Sequence, residues 1–164
     1  MSIELGSSDE EGIEESTSIK KNEKRKKLED LVMKLDYADK LLNEGLEFLK
    51  KNIWWNSAEK IWGAVKIVTD ELSKMVKGKP LSAKPRNITA RKYVEELLLN
   101  IGFTEEEAKE YSSIYIDVRD RLHGAVFYGR VYVDEMNEIV DRAVKYCKVL
   151  SKKLREKIGV KIEE

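Results

Sequence analysis

The sequence predicts an all-α fold, an up-and-down bundle of about five helices. Three observations carry that reading. Apolar residues recur at spacings of three and four along most of the chain, the period of one helix face. Glycine, proline and capping residues punctuate those stretches where helices should start and stop. No alternating run of strand length appears.

The first helix is expected from about Lys24 to Asn52, with Leu28, Leu31, Val32, Leu35, Ala38, Leu42, Leu46 and Leu49 on one face. Asn56 or Ser57 can cap the second helix. Its stripe is Ala58, Ile61, Trp62, Val65, Val68, Leu72, Met75 and Val76, and Gly78 with Pro80 stops it. The short link makes the pair an antiparallel hairpin. Residues 79–87 form a loop holding both prolines, Pro80 and Pro85. A shorter helix follows over residues 88–100, with Tyr93, Val94, Leu97 and Leu98 inward and Gly102 as its C-terminal signal. Thr104 and Glu107 match a capping box. The helix they open carries Ala108, Tyr111, Tyr115, Val118, Leu122, Ala125 and Val126 inward and should end at Gly129. After an apolar connector, residues 131–133, Asp134 caps a last helix lined by Ile139, Val140, Ala143, Tyr146, Cys147, Leu150, Leu154 and Ile158. Gly159 is expected to end it.

Composition narrows the function classes. At 164 residues the chain fits one domain, and its 41% hydrophobic content suffices for one core. No apolar run approaches the ~20 residues of a membrane helix, and the first twenty residues lack a signal-peptide core. A soluble, cytoplasmic protein that does not associate with membranes is the expectation. One cysteine, Cys147, excludes an intrachain disulfide framework, and with one histidine, His123, it excludes Cys/His zinc chemistry within a chain. No metal or cofactor is therefore expected. Glutamine is absent and 23 of the 31 basic residues are lysine, a usage resembling thermophile proteins.

The zero net charge hides an asymmetry. Residues 1–18 carry six acids and no base and are expected to form a disordered acidic tail ahead of a single domain, residues 19–164. The body is correspondingly basic. Lys74, Lys77, Lys79, Lys84, Arg86, Arg91 and Lys92 fall in a stretch with no acid between residues 72 and 94, and residues 20–27 read KKNEKRKK. An antiparallel hairpin should bring these stretches to one end of the bundle. Clustered cations there suit a polyanion such as RNA, whose condensed counterions they would release. The bland reading is a solvated loop with lysines favoured at a helix C-terminus.

The densest cluster of reactive side chains is residues 117–130, DVRDRLHGAVFYGR. Arg119 and His123 lie four apart, on one face of a helix, with Asp120 between them. His123 is expected at the edge of the core, where an imidazole can act as acid or base while an arginine holds an anion. The competing reading is structural, with an acid such as Asp120 neutralising Arg119. Trp54 and Trp55 sit at the hairpin corner, and capping the bundle end is their expected role. Ile114, Ile116, Phe127, Tyr128 and Tyr132 fall off the core stripes. A homodimer is expected to cover them, the alternative being that the helix over residues 24–52 wraps that face within one chain.

Residues 58–73, AEKIWGAVKIVTDELS, together with residues 122–130, LHGAVFYGR, resemble the archaeal PaREP family of small helical proteins. That family is grouped with the HEPN-like helical bundles, so the resemblance implies an up-and-down HEPN-like bundle, and it implies no activity. Many members of the wider HEPN group are ribonucleases of toxin or antiviral systems. Their motif is an arginine and a polar residue, with four to six positions between the arginine and a histidine. Arg119-Asp120 and His123 match its residue types with only three intervening positions. The expected function is thus a non-catalytic HEPN-like module that self-associates and binds a protein partner or polyanion (RNA or a nucleotide). The alternative is a metal-independent endoribonuclease pooling Arg119 and His123 across a dimer.

Overall fold

A computed structural model of the chain describes residues 8–125 and 133–163. Among these residues the fold is all-helical, with five α-helices and no strand. They are α1 (Ser8–Lys50), α2 (Trp54–Lys77), α3 (Ala90–Asn100), α4 (Glu105–Val118) and α5 (Val133–Glu163). A 3₁₀ turn, Leu81–Ala83, interrupts the loop before α3, and a π-helical segment, Arg119–Ala125, continues α4.

The α1–α2 hairpin turns at Asn52, whose φ of 58° is left-handed, a conformation asparagine tolerates better than most residues. Antiparallel register follows from contacts at both ends. Lys60 Nζ lies 3.1 Å from Glu44 Oε2 near the turn, and Lys24 and Lys27 share a cavity with Lys74 and Gly78 far from it. The helices come close at Gly45, where an added Cβ would meet Ile61 and whose carbonyl accepts a 2.7 Å hydrogen bond from Ser57 Oγ. Ser57 therefore serves as an interhelical tie and not as the N-cap its position suggested. The helix begins at Trp54, and Ile53 before it supplies no side-chain cap.

The expected stops hold at α2 and α3. Gly78 adopts φ 75° and its N–H closes the helix on Lys74 O at 2.8 Å. The capping box is complete, Glu107 N–H donating to Thr104 Oγ1 (3.2 Å) and Thr104 N–H to Glu107 Oε1 (3.0 Å). Gly159 stops nothing: α5 runs on to Glu163 because its stripe still buries Ile158 and nothing there forces a positive φ. At the other end α1 starts at Ser8, earlier than the expected start near Lys24. Residues 12–27 pack against nothing that buries them, so no apolar period marks their helix in the sequence.

The core draws on every helix. Leu35, Ile61, Val68, Leu72, Val94, Leu98, Ile139 and Leu150 are fully enclosed. Ile114 belongs to this core and Ile116 packs partly against it, so the chain itself covers two residues assigned to a dimer face. Phe127, Tyr128, Tyr132, Val126, Gly129 and Val131 lie outside the described residues. Trp54 is half-buried and Trp55 exposed at the hairpin corner.

Candidate functional site

The segment with the most reactive side chains is the one that leaves the α-helical path. After Val118 the backbone winds as a π-helix through Arg119–Ala125. π-segments are rare and are concentrated at functional sites. Leu122 stays buried as expected, while His123 is exposed rather than set at the core edge. Its imidazole lies over the Trp62 indole, with centroids 5.5 Å apart and planes 23° from parallel. Trp62 was expected in the core stripe of α2. It is half-buried and forms the platform on which the histidine rests.

Behind that platform aromatic rings continue inward. Tyr115 stands 6.0 Å from Trp62, and Tyr146 6.3 Å from Tyr115. Tyr146 OH is 2.7 Å from Thr69 Oγ1, and Thr69 Oγ1 lies 2.7 Å from Val65 O. Only the Thr69 hydroxyl can donate to that carbonyl, so Tyr146 must donate to Thr69. Burial pushes the Tyr115 phenol up to about 12, with Arg119 opposing and Asp70 and Asp120 assisting. Burial also holds Tyr146 well above its ordinary value. Both phenols stay protonated near neutrality and act as packing and hydrogen-bonding groups.

The charged neighbours of His123 are taken up in ion pairs. Arg119 Nε lies 3.1 Å from Asp120 Oδ1, a pair with side chains 38% and 60% exposed. Arg121 Nε contacts Asp117 Oδ1 at 3.0 Å, and Arg142 of α5 grips Asp117 Oδ2. The arrangement matches the structural reading of Arg119, although so exposed a pair is weak and an incoming anion could displace it. Cys147 is no nucleophile. It is buried, and burial pushes its thiol up to about 12. Among the described residues no cluster of His, Cys, Asp and Glu is arranged to hold a metal.

The basic residues occupy a separate end of the molecule. Lys77, Lys79, Arg86, Arg91 and Lys92 are exposed on the α2–α3 connection and the start of α3. Lys84 is engaged internally, its Nζ donating to Ile88 O at 2.7 Å, and Lys74 pairs with Glu71 at 3.1 Å. The connection is fixed by Ser73 Oγ donating to Lys79 O (2.7 Å) and Leu81 N–H donating to Asp70 Oδ1 (3.1 Å). Lys24 and Lys27 of α1 and Lys161 of α5 converge with Lys74 around a cavity of 350 Å³. Lys161 and the buried Glu71 in its wall were missed by sequence reasoning. A glutamate on the apolar side of the α2 stripe, one residue before Leu72, is the signal that could have found it.

A family model, described as the archaeal PaREP1/PaREP8 family, matches residues 33–157. The chain belongs to that family. The match takes in Trp62, Tyr115, Arg119 and His123, whereas Lys24, Lys27 and Lys161 fall in the flanks outside it. No match was found among curated proteins or among solved structures. No helix among the described residues is long and apolar enough to cross a membrane.

Proposed function

We propose that this PaREP1/PaREP8 member is a non-catalytic, HEPN-like helical module that self-associates and binds a polyanion, with RNA as the favoured class. The observation that carries the binding is the convergence of lysines from α1, α2 and α5 at one end of the bundle, beside the exposed cations that lead into α3. Cations brought together from three helices raise the local potential more than the same number spread over a surface. The non-catalytic part is supported by the ion pair on Arg119 and by the three-residue gap before His123.

Retention of labelled RNA by the full chain at low salt tests this. Affinity should fall steeply with salt, and neutralising Lys77, Lys79, Lys84 and Arg86 together should flatten the slope by roughly 0.7 per lost contact on a single strand. RNA that is not retained at low salt refutes the reading.

One observation favours a second reading, a metal-independent endoribonuclease. An exposed histidine on a π-segment is the kind of local departure that accompanies chemistry. In that reaction the ribose 2′-oxygen attacks the adjacent phosphorus as a base takes its proton. The bond to the 5′-oxygen breaks, and an acid protonates the leaving oxygen. One chain offers one histidine, so two chains would pool His123 and Arg119. Cleavage without metal that is lost in His123→Ala would select this reading.

A further inference from the structure

The cavity at the cationic end holds a feature that simple charge clustering does not require. Glu71, on the buried side of α2, is 2% exposed and lines the cavity. Its Oε1 accepts from Lys74 at 3.1 Å, whereas its Oε2 is buried with no hydrogen-bond partner. A buried carboxylate oxygen left unpaired carries a free-energy penalty that a ligand can relieve. Four lysines, Lys24, Lys27, Lys74 and Lys161, line the same space against two acidic residues, Asp30 and Glu71. Leu28, Leu31 and Met75 supply apolar wall between them.

We propose that this cavity is a binding site for a terminal phosphate monoester, its dianionic phosphoryl group held by Lys24, Lys27, Lys74 and Lys161 and hydrogen-bonded by Glu71. The inference deepens the polyanion reading and rests on its premise that this end of the bundle takes anions.

Three physical points choose the monoester. An internal phosphate of a nucleic acid is a diester with one charge and two chain continuations, both of which would have to leave a space of 350 Å³. A terminal phosphoryl group enters by one end and offers three oxygens to the converging ammonium groups. With its apolar wall, the cavity also accepts the first atoms of an organic body behind the phosphate.

Glu71 adds a linkage. Burial raises its pKa, Lys74 opposes through its hydrogen bond and charge, Asp30 reinforces the rise and Lys34 opposes it. A protonated Glu71 can give its O–H to a phosphoryl oxygen, and an ionised one repels it. Binding should therefore take up a proton and weaken as pH rises through the Glu71 titration. The groups around Glu71 are Lys24, Lys27, Asp30 and Lys34 of α1, Lys74 of α2 and Lys161 of α5.

The test uses the full chain and sodium sulfate, a tetrahedral dianion that does not itself titrate between pH 5 and 8, at constant ionic strength. Calorimetry should give a sulfate affinity that falls as pH rises in the parent, and falls far less in Glu71→Gln. Phenyl phosphate should bind more tightly than sulfate by on the order of tenfold, through its ring on the apolar wall. Lys27→Ala/Lys74→Ala/Lys161→Ala should abolish both. If that variant fails to fold by circular dichroism, Lys161→Met alone should weaken sulfate severalfold. Equal binding by parent and lysine variants, or a pH profile unchanged in Glu71→Gln, overturns the site. RNA oligonucleotides with a 5′-phosphate or a 5′-hydroxyl separate the sources. A preference for the phosphorylated end assigns the site to nucleic-acid termini, and equal binding beside tight phenyl phosphate assigns it to a small monoester. Loss of RNA retention with sulfate binding intact overturns the polyanion reading alone.

Discussion

Gly45→Ala sets helix propensity against packing, and the two predict opposite signs. In an exposed helix the change would stabilise by about 1 kcal/mol, because alanine costs less backbone entropy. Here a Cβ on residue 45 would sit 2.5 Å from Ile61 Cγ1 and 3.3 Å from the Ile61 backbone nitrogen. Ile61 is fully enclosed and, being β-branched on a helix, has one strongly preferred χ1, so it cannot swing aside. The helices must separate by about an ångström, and overpacking of that kind costs ~1–3 kcal/mol. Separation also stretches the 2.7 Å bond from Ser57 Oγ to Gly45 O, worth ~1 kcal/mol. Net destabilisation of about 1–3 kcal/mol is expected once the propensity gain is subtracted. Urea unfolding followed at 222 nm should show a lower midpoint with an unchanged slope. Gly63→Ala on the same hairpin is the control. There the added Cβ meets only Leu41 Cδ1, a flexible methyl, at 3.3 Å, and the outcome should lie between neutral and about 1 kcal/mol stabilising. A Gly45→Ala protein as stable as the parent would refute this account of the hairpin contact.

Two further changes probe the aromatic site. Tyr146→Phe removes the donor to Thr69 and should lower stability by ~0.5–1.5 kcal/mol in denaturant titrations while leaving RNA retention unchanged, since Tyr146 is fully enclosed. His123→Ala removes an exposed ring from the Trp62 face and should lower stability by no more than about 1 kcal/mol, with an altered tryptophan emission. A loss of several kcal/mol would show that the imidazole holds the fold together in a way its exposure contradicts.

How much of this was legible depended on whether a residue's environment repeats at helical period. The stripes were legible because burial imposes that period, and the capping box at Thr104 and Glu107 because its two bonds need those side chains at that separation. Antiparallel pairing placed residues 20–27 near the end of α2, and Lys24, Lys27 and Lys74 indeed share one cavity. The start of α1 was not legible, because an exposed polar helix segment leaves no apolar trace. Gly159 misled because glycine permits a helix end without demanding one. Lys161 lies beyond that expected end, so its place in the cavity could not be read either. Ile114 and Ile116 fall off the core stripe of α4 and looked surplus to one chain, whereas α4 packs against both α3 and α5.

The position of His123 shows the same limit most sharply. On an α-helix, residues four apart share a face, which is why Arg119 and His123 looked like partners. A π-helix closes its hydrogen bonds over five residues, so it turns through less than the α-helical 100° per residue. His123 is five residues after Val118, a fully enclosed member of the core, so the wider winding draws the imidazole round toward α2 and over Trp62. On a continued α-helix the same residue would lie about 140° from Val118. Two features hold the chain at the entrance to this turn: Asp117, gripped by Arg121 and by Arg142 of the neighbouring helix, and Val118, locked in the core. Arg119 closes on the carboxylate of Asp120 next to it. The place of the ring is therefore set by the π-winding and by the Trp62 platform on which it rests.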